Sequence, residues 1–202
     1  ELVGNTYDRL VEYDPGKPGE HYGLLAESWT ISPDRKTFTF TLRTTPKFAS
    51  GVAVTAQDAA FSLHRMIRMR KSSPLPFRLL GWQAKTVEVL IQAKDARTLV
   101  LKTVKPVAPT FLLNALTMPM ASVVERELVM KHEQDGDLGG RWLATHHAGS
   151  GPFAWERWNP KRFVVKRNPD YWNGVSAMTG IEFVHLPESS SRLKALLQGE
   201  VQ

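Results

Sequence analysis

The stretch Ser32-Pro33-Asp34-Arg35-Lys36-Thr37-Phe38-Thr39-Phe40-Thr41-Leu42-Arg43 sets the reading of the whole chain. Phe38, Phe40 and Leu42 alternate with Thr37, Thr39, Thr41 and Arg43, the period-two pattern of a strand with one buried face. Ahead of it, Ser32-Pro33-Asp34 makes a turn, and Leu24 to Ile31 reads as the antiparallel partner strand. Beyond it, Thr55-Ala56-Gln57-Asp58 opens a helix. The Thr hydroxyl can accept from a first-turn amide, and an acid three residues on suits the positive end of the helix dipole. Ala59, Ala60, Leu63, Met66 and Ile67 recur at helical spacing to about Arg70, where Ser72-Ser73-Pro74-Leu75-Pro76 ends the helix.

Further out, Val87 to Gln92 and Leu99 to Lys102 read as a second hairpin turning near Lys94 to Arg97. Ser122 to His132 reads as a helix, and Asp135-Gly136-Asp137 with Gly139-Gly140 as a surface loop. A third hairpin runs Phe153 to Trp158 and returns through Arg162 to Arg167 around Asn159-Pro160. Ile181 to Leu186 is a strand and Ser189 to Gln198 a helix. Strands and helices are interspersed without strict β-α-β alternation, so the expected fold class is α+β, a mixed α/β architecture.

The chain has 202 residues and a formal charge of +6, with 42% hydrophobic and 23% charged residues, enough for a real core and unlike a disordered chain. It contains no Cys, which removes disulfides, thiolate metal sites and thiol nucleophiles. Pro106 to Val124 is uncharged, but Pro106, Pro109 and Pro119 interrupt it, so it reads as a buried helix–loop segment and not a membrane span.

The search for catalytic chemistry is negative. There is no phosphate-binding GxxxxGK[ST] loop and no GxGxxG opening a helix. Gly149-Ser150-Gly151 lacks the Gly-x-Ser-x-Gly frame of a nucleophile elbow, so no catalytic residue is assigned. His146-His147, with His132 upstream, does not suit one metal ion, because adjacent side chains diverge on a strand or a helix. Asp135-Gly136-Asp137 fails as a calcium loop, its twelfth position being His146 instead of Glu. Neither a metal nor a cofactor is expected. Arg65, Arg68, Arg70 and Lys71, and Arg157, Lys161, Arg162, Lys166 and Arg167, form basic clusters that could meet a nucleic-acid backbone. The modest net charge favours solvated faces instead, so no nucleic-acid partner is expected.

Taken in order, several blocks are more informative than any one of them. They are Tyr7-Asp8-Arg9-Leu10, Leu25-Ala26-Glu27-Ser28-Trp29, the Ser32 to Arg43 stretch, Lys47-Phe48-Ala49-Ser50-Gly51, Val54 to Asp58, Gly149-Ser150-Gly151-Pro152-Phe153, Arg167-Asn168-Pro169-Asp170-Tyr171-Trp172, and Ala195 to Val201. Together they closely resemble the family 5 extracellular solute-binding proteins, the peptide- and nickel-type receptors of ABC importers. Phe48-Ala49-Ser50-Gly51 departs from the family's more usual aromatic–x–Asp–Gly turn.

The resemblance implies a periplasmic-binding-protein type II-like fold, of which this chain would be less than half. Residues 1–140 would be the accessory subdomain of lobe I and residues 141–202 the start of the main lobe I sheet, with the second lobe absent. It implies capture of dipeptides or oligopeptides in the periplasm, or at the extracellular face of the membrane. Delivery would be to an ABC permease, by a monomer that associates only peripherally with the membrane complex and does no chemistry. This part alone would bind weakly or not at all. The same fold could instead take a nickel chelate, haem, a glycan or an opine. Where peptide-binding relatives carry a Ser-Pro-aromatic contact, this chain has Ser73-Pro74-Leu75, with Phe77 two residues on. Leu75 and Phe77 at that motif, with Tyr7, Trp82 and Met118 as an apolar, adaptable wall, are the candidate ligand-binding residues.

Overall fold

In the computed structural model, residues 2–14, 16–17, 19–69 and 74–201 are described. Arg70, Lys71, Ser72 and Ser73, which figure in the basic cluster, the helix end and the Ser-Pro motif, lie outside them.

Helix α1 (Leu2–Thr6) leads into a two-stranded ribbon, β1 (Val11–Tyr13) with β2 (His21–Gly23). Strands β3 (Ala26–Ile31) and β4 (Thr37–Leu42) form the expected hairpin, with Arg35 in the left-handed region at φ 54. Every second β4 residue turns inward: Phe38, Phe40 and Leu42 are buried and the threonines between them only half so. Strands β5 (Ile91–Ala93) and β6 (Thr98–Lys102) complete a four-stranded antiparallel sheet of order β3-β4-β6-β5.

Helix α2 (Ala56–Arg68) packs on this sheet through β5 and β6. Its start is capped reciprocally. The Thr55 hydroxyl accepts from the Asp58 N–H, and the Asp58 carboxylate accepts from the Thr55 N–H at 2.9 Å. The other Asp58 oxygen accepts from the Arg126 N–H at 2.9 Å, so the cap also ties α2 to a distant segment. Ala56, Ala59, Ala60, Leu63, Met66 and Ile67 face the main core, which also holds Phe77, Trp82, Leu112 and Leu116.

Three local expectations are corrected. Residues 87–92 do not form a strand throughout: Val87–Leu90 is a helical turn, α4, and pairing begins only at Ile91. Ile91 pairs with Leu101, so a longer ladder would need Lys102 and Thr103, and the Thr103 N–H already donates to the Lys36 carbonyl at 2.9 Å. The helix expected from Ser122 starts at Arg126. Upstream of it the Val123, Val124 and Glu125 amides donate to the Asp8 carbonyl, the Ser62 hydroxyl and the Ala148 carbonyl, leaving that segment extended. Gly140–Leu143, partly placed in a loop, is a helical turn after Gly139 at φ 71. Its start is held by Asp137, which accepts from the Gln134, Gly139 and Arg141 amides.

Three more helices follow this numbering in chain order: α3 (Leu75–Leu79), α5 (Pro109–Leu116) and α6 (Arg126–Lys131), with α7 the Gly140–Leu143 turn. The last part is a meander, β7 (Phe153–Asn159), β8 (Arg162–Arg167) and β9 (Gly180–Val184), followed by α8 (Ser189–Leu197). Its tight turn is made by the Asn159 side chain, which accepts from the Lys161 and Arg162 amides. Phe153, Phe163 and Val165 form its own small core.

Candidate functional site

The chain's first residues run against this meander, and the contact explains two sequence blocks. A Cβ on Gly149 would meet the Thr6 carbonyl oxygen at 2.2 Å, and one on Gly151 would meet the Thr6 carbonyl carbon at 2.6 Å. Two backbones pass there with no room for a side chain. Between those glycines, Ser150 is fully buried and its hydroxyl donates to Asp8 at 3.0 Å. The Tyr171 hydroxyl (3.0 Å) and the Trp172 indole N–H (3.2 Å) donate to the same carboxylate. Burial pushes the Asp8 pKa up, opposed by these three donors and by the charge of Arg9. Ser150 is thus a donor in a closed cluster, with no exposed oxygen for attack.

Above this junction lies a cleft of about 500 Å³. Helix α2 supplies Arg65 and Met66, its C-cap supplies Met69, and the segment after α5 supplies Pro119, Met120, Ser122 and Val124. Val3, Tyr7 and Leu143 close it from the N-terminal segment and α7. Methionines are unbranched and polarizable, so they adapt to apolar guests of different shape. The volume lies in the range of small-molecule sites. Tyr7 is buried against His147, ring centroids 5.1 Å apart, and burial pushes its phenol up to about 12, so it stays neutral. A second recess, between residues 45–51 and 168–172, is lined by Lys47, Ser50, Asn168 and Asp170 and is far more polar.

Of the residues singled out from sequence, Tyr7 lines the cleft. Met118 is half-buried against the main core, two residues from Met120 of the wall. Leu75 is exposed and outside the lining. Phe77 and Trp82 are both fully buried, stacked with centroids 5.8 Å apart, and the Trp82 indole N–H donates to the Lys102 carbonyl at 2.8 Å. They present no surface to a ligand. Arg65, Met66, Met69 and Met120 also line the cleft and are not among the residues singled out from sequence; the one sequence signal toward them is Met118-Pro119-Met120.

His132 and His146 both stack on Trp142, at centroid distances of 4.6 and 4.7 Å. Among the described residues no group of three or more His, Asp or Glu could hold a metal ion. The Ser50 hydroxyl donates to the buried Glu125 carboxylate at 2.7 Å, a site where a second acid would repel.

Residues 20–202 match the bacterial extracellular solute-binding proteins, family 5 Middle. This chain belongs to that family, whose members bind solutes. It is 31% identical over 201 residues to the probable D,D-dipeptide-binding periplasmic protein DdpA of Escherichia coli (strain K12), covering 97% of this chain and 36% of that protein. It is 30% identical to the probable di/tripeptide-binding protein 5 of Pseudomonas aeruginosa (strain UCBPP-PA14), covering 96% of this chain and 38% of the relative. The chain therefore spans little more than a third of these relatives. Among solved structures, the periplasmic binding protein DppA from Helicobacter pylori in complex with peptide STSA superposes with a TM-score of 0.81. The match is at 29% identity over 98% of this chain and 40% of that one. AgaA in complex with agropinic acid, from A.tumefacien R10, gives 0.77 at 25% identity over 99% of this chain and 38% of that one. The fold is that of the type II periplasmic binding proteins.

Proposed function

We propose that the protein carrying this chain captures dipeptides or oligopeptides in the periplasm, or at the extracellular face of the membrane, and hands them to an ABC permease. It does so as a monomer that touches the membrane complex only peripherally and performs no reaction. The methionine-bearing cleft beside Tyr7 carries the reading: an apolar, adaptable wall suits ligands that vary in side chain while sharing a backbone. The names of the relatives agree with it. Residues 1–140 act as the accessory subdomain and 141–202 as the start of the main lobe, with residues 2–8 seated on the latter. Tyr7 and Met118 are the residues retained for ligand contact.

Native mass spectrometry of the gently purified protein, with any sequence that flanks these 202 residues in its gene retained, tests the reading. A peptide-sized adduct is expected. A metal complex, sugar or nucleic acid in its place would retire it. The likeness to AgaA favours an opine-type ligand as the second reading, and the adduct's mass separates the two.

A further inference from the structure

Gln57, Phe61, His64 and Arg68 follow one another at intervals of three or four residues, so they share one face of α2. That face, with Glu88 of α4 and Arg126 and Met130 of α6, lines a recess of about 360 Å³ that has only Arg65 in common with the cleft. The deeper lining is apolar: Ala60 is buried, and Phe61, Ala93 and Leu138 are half-buried. The charges stand at the mouth, where Arg68, Glu88 and Arg126 are exposed. Each cation has a fixed base. Arg68 pairs with Glu88 at 2.6 Å, the Arg65 Nε–H donates to the Leu138 carbonyl at 2.8 Å, and the Arg126 N–H donates to Asp58 of the α2 cap. Arg126 also borders Asp58, Glu125 and Glu127 on another side, but Asp58 is taken by the cap and Glu125 by the Ser50 hydroxyl. His64 donates from Nε2 to the Ile91 carbonyl at 2.9 Å, and burial lowers its pKa, so it adds no charge at neutral pH. Three guanidinium groups thus surround one carboxylate over an apolar base, a surplus of two positive charges.

We propose that this recess is a second binding site, for a phosphate monoester carried on a small apolar body. The volume lies in the range of small-molecule sites. A phosphate monoester holds close to two negative charges at neutral pH, which matches the surplus, and guanidinium groups meet its oxygens through paired N–H donors. A single carboxylate would leave half of the surplus uncompensated. Inorganic phosphate would balance the charge but leave Phe61, Leu138 and the 39% exposed Met130 uncovered. Met130 is unbranched and adapts to the shape of the apolar body. All the lining residues fall between Gln57 and Leu138, away from Tyr7 and the methionine-bearing wall apart from Arg65. The inference therefore does not rest on the peptide reading.

Calorimetry on the protein with its flanking sequence, using phenyl phosphate, inorganic phosphate and phenol, decides it. Wild type is expected to bind phenyl phosphate at least about tenfold tighter than either of the others. Arg68 and Arg126 line the recess and not the cleft, and both are exposed, so their variants should keep the wild-type urea midpoint to within a small shift. Arg126→Gln should weaken phenyl phosphate about tenfold, and Arg68→Gln by more, because it leaves Glu88 facing the anion. An excess of Met-Leu should not displace the probe. Phenyl phosphate that is not bound at all, is bound equally by wild type and both variants, or is displaced by Met-Leu overturns the site. Inorganic phosphate bound as tightly as phenyl phosphate overturns the apolar part of the assignment. Phosphatidylcholine vesicles with and without phosphatidic acid separate the two sources of such a group. Capture by the phosphatidic acid vesicles that both variants lose assigns a lipid headgroup, and no capture, with phenyl phosphate still bound, assigns a soluble organic phosphate.

Discussion

Asp8 joins the N-terminal segment to the meander, and each of its three neutral donors depends on it. Asp8→Ala would strand the Ser150, Tyr171 and Trp172 donors in the interior, and is expected to cost about 3 kcal/mol in a urea unfolding experiment. Asp8→Asn keeps an acceptor oxygen and should cost less. The pH dependence follows from sign. The Asp8 pKa is raised by burial above 3.8, so its contribution is complete below that pH and lost as pH rises through the folded value. His147 is displaced the other way. Burial lowers its pKa below 6.5, against the bond to the Thr6 carbonyl, so its contribution is complete above pH 6.5 and lost as pH falls through the folded value. His147→Gln is therefore expected to flatten the fall in stability on the acid side of pH 6.5, read as urea midpoints across a pH series. A midpoint profile identical to wild type would remove His147 from the account.

At the scale of elements, the α2 cap and the Phe77–Trp82 stack make separable expectations. Thr55→Ala removes one side of the reciprocal cap and should destabilise by about 1 kcal/mol, with ligand affinity unchanged. Trp82→Ala opens the main core and should cost about 3–5 kcal/mol. In a variant still folded at low temperature, ligand affinity should stay near wild type, since the indole is sealed inside. A selective loss of affinity without loss of stability would return Trp82 to the site. Val87-Glu88-Val89-Leu90 alternates like a strand, but the register of β6 leaves it no partner. Ser122 to Glu125 reads as the start of a helix, but distant carbonyls and a hydroxyl claim the amides of Val123, Val124 and Glu125. In both places a long-range hydrogen bond overrode a local preference.

For the whole molecule, the exposed leucines of α8 matter. Leu193, Leu196 and Leu197 are 58%, 55% and 78% exposed, and only Ala195 of that helix is buried. Ligand closure in two-lobed receptors depends on contacts from both sides. The 202-residue chain alone is accordingly expected to bind Met-Leu at least about tenfold more weakly than the protein with its flanking sequence, measured side by side by calorimetry. Equal affinity would place the whole site on these residues.

Local pattern by itself determined the β3–β4 and β7–β8 hairpins, the start of α2 and the helix–loop character of residues 106–124. A strand's period, an N-cap and an Asn turn are properties of neighbouring residues and need nothing distant. The ordered motif blocks determined the family. Only the tertiary structure decided which aromatic residues line the cleft and which are sealed in the core. Tyr7, Phe77 and Trp82 are all aromatic in sequence, and their fates differ because Phe77 and Trp82 fall in the main core with α2 and its sheet while Tyr7 falls at the junction. It alone brought Arg65 beside Met120, residues 55 positions apart whose proximity comes from folding one segment over another.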